Sequence, residues 1–382
     1  MLLSKESMAT VSDRVLLLLS IKEEGKRIDI DHIFEKVRRD VLFADKREID
    51  KDEVERTIKD LISKGLVERF DGGYSLSEEG EKIMEKIILE KEKELNRSYT
   101  LVWLAKKYYP HVARLMIPFL KDRAISAVKI FSGKKDPIKE VNAIFVRYAK
   151  YKPKPVLLTI DSESKLMSLV FDHCIDFIPY VHKIDSNEPD FFILDLDAGS
   201  EILKSQKAFD FIKFVAFELS NLLIELDVAP MAKFSGSRGF QIWANFDNSE
   251  LRDRGDLFKI YREMAIAIQN KLEERLQSKI DQMVSIFPDI AHRGKQITTS
   301  TVAHKEERAS QILVDWSSLK PMGDVRAPFS IHYRTGLVSL PIPIDKINDF
   351  DVKEAYPISI VKNLGRYEKA ANMEKCNPPK LV

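Results

Sequence analysis

Apolar residues recur every three to four positions in three successive stretches near the start of the chain, VSDRVLLLLSIKEEG, DIDHIFEKVRRDVLF and DKDEVERTIKDLISKG. That spacing predicts three amphipathic helices, the first and third punctuated by Gly25 and Gly65. The pattern then changes to LVERFDGGYSLSEEG, which reads as a short strand, a turn at Gly72-Gly73 and a second strand ending at the helix-capping type Ser77. A long charged helix over 78–96 follows. Farther on, short apolar runs alternate with helical ones. ISAVKIF, PVLLTI, FFILDLD, MAKFS, FQIWANF and ILVDW read as strands. SKLMSLVFDHC, KAFDFIKFVAFELSNLLIELD and LFKIYREMAIAIQNKLEERL read as helices between them. Past residue 346 the chain is mixed and polar, with one helix and a loose end expected.

Three helices followed by a hairpin is the winged-helix order, so residues 1–96 are expected to form a winged-helix domain with a linker helix. Residues 97–345 form a larger α/β (α+β) domain, and 346–382 a polar tail. A length of 382 residues suits two or three domains. The third helix carries Lys51, Arg56, Lys59 and Lys64, but also Asp50, Asp52, Glu53, Glu55 and Asp60. So mixed a face gains little from counterion release, and both DNA contact and protein docking remain open for it.

No apolar run approaches the length of a membrane span. Asp13 and Arg14 interrupt the apolar opening, and no small-residue cleavage site follows. Cys174 and Cys376 are too few for a disulfide framework or a four-thiolate zinc site within one chain. A reducing, cytoplasmic setting is therefore expected. The net charge is only +1, so a nucleic-acid partner has to meet a local basic patch. Abundant Lys and Glu lean toward a thermophile.

Candidate chemistry concentrates in three places. In FFILDLDAGS, alternation puts Asp195 and Asp197 on one side of a strand end, with Phe192, Leu194 and Leu196 on the other. Two converging carboxylates are costly without a cation between them, and oxygen-only ligands suit Mg²⁺ or Mn²⁺. Alone, the pair reads equally well as an acidic cap on the next helix. In KFSGSRGFQIWANF, Ser235-Gly236-Ser237-Arg238-Gly239 is a tight turn that offers hydroxyls, a guanidinium and close backbone approach to phosphate oxygens. Beyond it Gln241, Trp243 and Asn245 share one strand face. By itself this is an ordinary hairpin. In QILVDWSSLKPMGDVRAPFSIHYRTGLVSLPI, Asp315 ends an apolar strand and can complete a three-carboxylate cluster, or simply start a turn. Arg326, Ser330 and His332 follow in a proline-bracketed segment.

Taken together these residues resemble the archaeo-eukaryotic primase superfamily, whose signature is a DxD strand, an SxH-like strand after a small-residue turn, and a later hydrophobic–Asp strand. RAPFSIHYRTGLVSLPI is similar to the matching stretch of replicative primase catalytic subunits. VLLTIDSESKLMSLVFDHCIDFIPYVHKIDSNEPDFFILDLDAG is similar to polymerase domains of bacterial end-joining ligases, where a Pro-Asp pair, here Pro189-Asp190, precedes the acidic strand. The resemblance runs over residues 111–345.

It implies a primase-polymerase fold and template-dependent addition of nucleotides to a 3′-hydroxyl with release of pyrophosphate, in replication or repair. Asp195 and Asp197 would hold two Mg²⁺ or Mn²⁺ ions, and Asp315 would complete the site nearest the attacking hydroxyl. Ser235 and Arg238 would contact the phosphates of the incoming nucleoside triphosphate, and Arg326 and His332 would hold its triphosphate. A DNA primer–template or single-stranded template would be the other partner. Gln241 stands where the SxH histidine belongs, and a cysteine-rich zinc module, a nucleotidyl-lysine KxDG motif and a Walker loop are all absent. The alternative is a primase-fold protein that binds nucleotide or primer–template as an accessory factor without efficient synthesis.

Overall fold

Each of the three N-terminal helices starts on a capping side chain. In the computed structural model, which describes residues 8–22, 26–133, 135–186, 188–300 and 307–381, Thr10, Asp29 and Asp50 accept from the backbone N–H of Asp13, His32 and Glu53. These caps open helices Val11–Ser20, Ile30–Asp45 and Lys51–Ser63, each stabilised by about 1 kcal/mol through its cap. Ile33, Val37 and Val41, then Val54, Ile58 and Leu61, form buried stripes at helical spacing. The first helix departs from the expected amphipathic form: its residues from Val15 to Ser20 are all buried, and so are Asp13 and Arg14. It is the central helix of its module, and its two charges survive burial by pairing with Lys91 at 2.8 Å and Asp45 at 3.2 Å.

Strands Val67–Phe70 and Gly73–Leu76 pair antiparallel around Gly72-Gly73, and Ser77 caps helix Glu78–Lys91 by accepting from Gly80. The three helices and the hairpin thus occur in the expected order. Gly25 lies outside the described residues. On the third helix Lys51 pairs with Asp31 and Lys64 with Asp60, which cancels much of its positive charge.

The chain packs into two compact units. One comprises Met1–Pro110, Val128–Phe145 and Met167–Ile175, the other His111–Ala127, Val146–Leu166 and Asp176–Val382. Helix Arg97–Leu120 and strands Ile125–Ser132 and Cys174–Pro179 contribute residues to both.

The second unit carries a sheet of seven strands among the described residues. Across it run Thr298–Ser300, Ile312–Asp315, Phe191–Ala198, Phe240–Phe246, Met231–Phe234 and Pro341–Ile342, with Lys375–Cys376 also beside Phe240–Phe246. The acidic strand Phe191–Ala198 is central and antiparallel to both neighbours. Helices Ala208–Glu225 and Leu257–Ser278 pack together, and the first lies against the acidic strand and Phe240–Phe246. On the face that carries the acids, Phe191, Ile193, Met231 and Trp243 join Phe119, Val181, Phe258 and Val325 in an apolar cluster. Emptying the Trp243 position costs about 3–5 kcal/mol.

The segment past 346 is more ordered than its polarity suggests. It holds helices Pro357–Lys362 and Leu364–Ala370 and the short strand Lys375–Cys376. Buried Phe350, Ile360 and Tyr367 supply the apolar anchors. PVLLTI contracts to the strand Val156–Leu157. No helix among the described residues is long and apolar enough to cross a membrane.

Candidate active site

Four polar residues line up across four adjacent strands. Asp195 sits opposite Asp315 on one neighbour and Gln241 on the other, and Gln241 sits opposite Lys233. Directly opposed residues of antiparallel strands project from the same face, so Asp315, Asp195, Gln241 and Lys233 form one row. Asp197, two residues on, shares that face. Beside it runs the turn Ser235–Gly239. A Cβ at Gly239 would lie 2.1 Å from the Leu196 carbonyl oxygen and 2.9 Å from an Asp197 carboxylate oxygen, so only glycine lets the turn pass this close.

The row is charged in a way that asks for a cation. Gln241 Nε2 donates to Asp195 Oδ2 at 2.8 Å. Asp195 Oδ1 and Gln241 Oε1 are buried acceptors without a hydrogen-bond partner. Burial, and then the Asp197 charge, push the Asp195 carboxyl up to about 7. Asp197 is raised as well, chiefly by loss of hydration, while Arg238 acts against the shift. Asp315 Oδ1 accepts from the Ser317 N–H at 2.6 Å, so this residue both starts a turn and joins the row.

Among the described residues no group of three or more His, Cys, Asp or Glu side chains is placed to hold a metal ion. An open donor set of this kind fits Mg²⁺, which binds through one or two carboxylates together with waters and substrate phosphates. The unpartnered Asp195 and Gln241 oxygens are where such an ion would find acceptors.

The turn and the segment after Asp315 are fastened together. Ser235 Oγ accepts from the N–H groups of Ser237 at 3.3 Å and Gly239 at 3.2 Å, which leaves its hydroxyl proton free to donate. Gly236 takes a φ of +87°, and a Cβ there would meet His332 Cβ at 3.1 Å. Thr335 Oγ1 donates to the Gly236 carbonyl at 2.6 Å. Arg238 is exposed at the rim. His332 Nδ1 accepts from the backbone N–H of Arg334 and Thr335 at 3.2 and 3.3 Å. Its proton therefore sits on Nε2. Burial, and then the Arg326 charge, depress this imidazole to about 4, so at neutral pH it is an uncharged N–H donor.

Arg326 is partly shielded and directed. Its Nη1 donates to the Ser235 carbonyl at 3.3 Å, while Nε and Nη2 both reach Asp176. Two residues here escaped the sequence reading. Asp176 is fully buried, and it also accepts from Ser330 Oγ and the Tyr333 N–H, both at 3.2 Å. Lys233 is fully buried too, with Nζ donating to the Arg326 carbonyl at 2.9 Å and Ser339 Oγ at 2.5 Å. Burial, and then the Arg326 charge, hold its pKa well below the usual lysine value. The available signal was a lone charge inside an otherwise apolar strand, CIDFIP for the first and MAKF for the second.

Among solved structures, the polymerase domain of Mycobacterium tuberculosis ligase D in complex with DNA is similar, with a TM-score of 0.47 and 18% identity over 69% of this chain and 91% of that one. The comparison with curated proteins finds no match. The model of the LigD primase-polymerase domain family matches residues 105–371, well over half of the chain, and the chain belongs to that family.

Proposed function

We propose that this chain is a template-dependent DNA polymerase of the primase-polymerase type, extending a 3′-hydroxyl with release of pyrophosphate in DNA repair. Membership of the family supports the general class, a nucleotidyltransferase. The observation that carries the finer reading is the row Asp315–Asp195–Gln241 with its two unpartnered buried oxygens and Asp197 alongside. Asp195, Asp197 and Asp315 would hold the divalent ions, Mg²⁺ or Mn²⁺, which when bound neutralise charge on the entering and leaving oxygens.

The remaining residues place the nucleoside triphosphate. The Ser235–Gly239 turn brings backbone close to its phosphates, and Arg238 adds a cation at the rim. His332 offers an uncharged Nε2–H, and Arg326 offers a guanidinium whose direction is set from behind. In the reaction the 3′-oxygen bonds to the α-phosphorus and gives up its proton to solvent water, and the bond from the α-phosphorus to the bridging oxygen breaks, so that pyrophosphate leaves with that oxygen. In-line displacement of this kind is governed mainly by positioning and charge stabilisation.

Gln241 favours a second reading, an accessory protein that holds nucleotide or primer–template with little synthesis, because an amide cannot become the cation that a histidine can. Labelled-nucleotide incorporation with Mg²⁺ or Mn²⁺ on primed and unprimed templates separates the two. Extension that vanishes in Asp195→Asn and Asp197→Asn is the expected result. Nucleotide binding without extension in the parent protein would establish the accessory reading instead.

A further inference from the structure

The backbone carbonyl of Arg326 is satisfied by a side chain rather than by a neighbouring strand. Val325 and Ala327 donate to the carbonyls of Pro179 and Phe177 at 3.1 and 3.0 Å. In an extended segment the carbonyl between them faces the opposite way, here toward strand Met231–Phe234. That strand is already paired on both edges, with Phe240–Phe246 and with Pro341–Ile342, and has no backbone N–H to offer. The donor is Lys233 Nζ, at 2.9 Å.

A single donor does not require a charge, and a fully buried ammonium is costly to desolvate. The surroundings of Nζ are nevertheless those of an ammonium. Ser339 Oγ gives its own proton to the Phe234 carbonyl at 3.3 Å, so it accepts from Nζ. The face of the Trp243 ring lies 5.1 Å from Nζ at its centroid. A carbonyl, a hydroxyl oxygen and an aromatic face are all electron-rich, so the lone pair of a neutral amine has nowhere to point. Two residues farther along the chain, the Ser235 carbonyl accepts from Arg326 Nη1 at 3.3 Å. One stretch of chain thus holds Arg326 by its backbone and by its side chain, while Asp176 takes Nε and Nη2.

We propose that Lys233 is a positioning residue for the nucleoside triphosphate, acting through Arg326: it anchors the backbone from which the guanidinium reaches out. Lys233 is buried and does not touch the nucleotide itself. The proposal rests on the reading of this site as one that binds a nucleoside triphosphate. A small shift at the Arg326 carbonyl is carried to the far end of a long side chain, where misplacement weakens a phosphate contact. A lysine that merely completed the sheet would leave that contact alone.

The test is the affinity of a fluorescent dATP analogue, measured by anisotropy with Mg²⁺ and without DNA, so that no synthesis intervenes. Lys233→Met removes the charge and both hydrogen bonds at nearly constant length, and a single cooperative melt verifies its fold. It is expected to bind about tenfold more weakly, the worth of one charge-assisted hydrogen bond. Ser339→Ala cuts one of the two ties and should lose about threefold, which keeps the test open if Lys233→Met fails to fold. The decisive arm is background. In Arg326→Ala, adding Lys233→Met or Ser339→Ala should change affinity by less than about twofold, because the residue they act through is gone. Losses of the same size in both backgrounds would show a general loosening of the sheet and overturn the proposal. A parent protein that binds the analogue, with both single variants equal to it, would remove Lys233 and leave the triphosphate site standing. A parent that binds no analogue at all would reject the triphosphate reading, and Lys233 with it.

Discussion

Asp176 grips Arg326 through two parallel hydrogen bonds, Nε to Oδ1 at 2.8 Å and Nη2 to Oδ2 at 2.9 Å. The same carboxylate takes Ser330 Oγ and the Tyr333 N–H, so one buried group orients the guanidinium and the loop that leads through His332. Arg326 is left with Nη1 directed toward the turn at Ser235.

Asp176→Asn sets an amide N–H against the guanidinium and breaks this arrangement. Removing one partner of a buried pair costs on the order of 3 kcal/mol, so the melting temperature should fall. The kinetic mark is more specific. KM for nucleotide should rise about tenfold with a smaller change in kcat, because Arg326 and His332 lose direction while the carboxylates stay in place. Equal KM in a folded variant would show that Asp176 serves the fold alone.

Gln241 should matter through Asp195. Its Nε2–H is the hydrogen bond that Asp195 Oδ2 receives, and a bond to a charged acceptor is worth about 1.5–3 kcal/mol. Gln241→Leu should raise the Mg²⁺ concentration for half-maximal extension about tenfold, with much of the rate recovered in excess ion. Gln241→His keeps a donor for Asp195 and adds a titratable ring, so it should extend at least as fast as the parent at limiting nucleotide, with the larger gain at mildly acidic pH. Metal titrations of the three proteins decide this, and coincident curves would detach Gln241 from the metal site.

The acidic strand was legible because strand alternation is a strict period of two: FFILDLD places Asp195 and Asp197 on one face of their strand, and FQIWANF places Gln241, Trp243 and Asn245 on one face of theirs, without any tertiary information. What alternation cannot supply is which strands are neighbours. Asp315 opposite Asp195 and Lys233 opposite Gln241 are products of strand order, set by long-range pairing. Asp176 was hidden for the same reason: its strand reads as plain core, and its partner lies 150 residues farther along the chain. The first N-terminal helix was misread in the other direction. Its Asp13 and Arg14 look like a polar face, but their ion pairs let that face be buried.

Asp195→Asn should stabilise the metal-free protein while abolishing extension. The folded state holds this carboxyl at about 7, above its usual 3.8, so the protonated form is favoured. Its contribution is present below pH 4 and is lost as pH rises through 7. Asparagine removes that loss. Allowing for solvent contact, the gain at pH 8 should be roughly 1–2 kcal/mol and should fade toward pH 4. Added Mg²⁺ should raise the melting temperature of the parent but not of the variant. A variant that melts below the parent in EDTA at pH 8 would contradict the strain assigned to this row.

Asp40 offers a pH test far from the chemistry in kind. Its side chain is 4% exposed, and burial raises its carboxyl to about 6 against the lowering effects of the Asn96 hydrogen bond and the Arg39 charge. Asn96 Nδ2 donates to both Asp40 oxygens, at 3.1 and 3.2 Å. The sign follows from proton counting. Between pH 4 and 6 the folded state binds a proton that the unfolded chain has released, so stability falls as pH rises through this window and then levels off. A shift from 3.8 to about 6 corresponds to at most about 3 kcal/mol. Asp40→Asn keeps an acceptor for Asn96 and cannot ionise, so its advantage over the parent should grow across the window and be absent at pH 4. The Arg39 contact, 4.0 Å away, is the attraction given up. Being a weaker cause than burial, it should trim the gain without reversing it. Urea unfolding of both proteins at pH 4, 5, 6 and 8 measures the difference, and two curves that stay parallel across that range would show that Asp40 ionises in the fold at no cost.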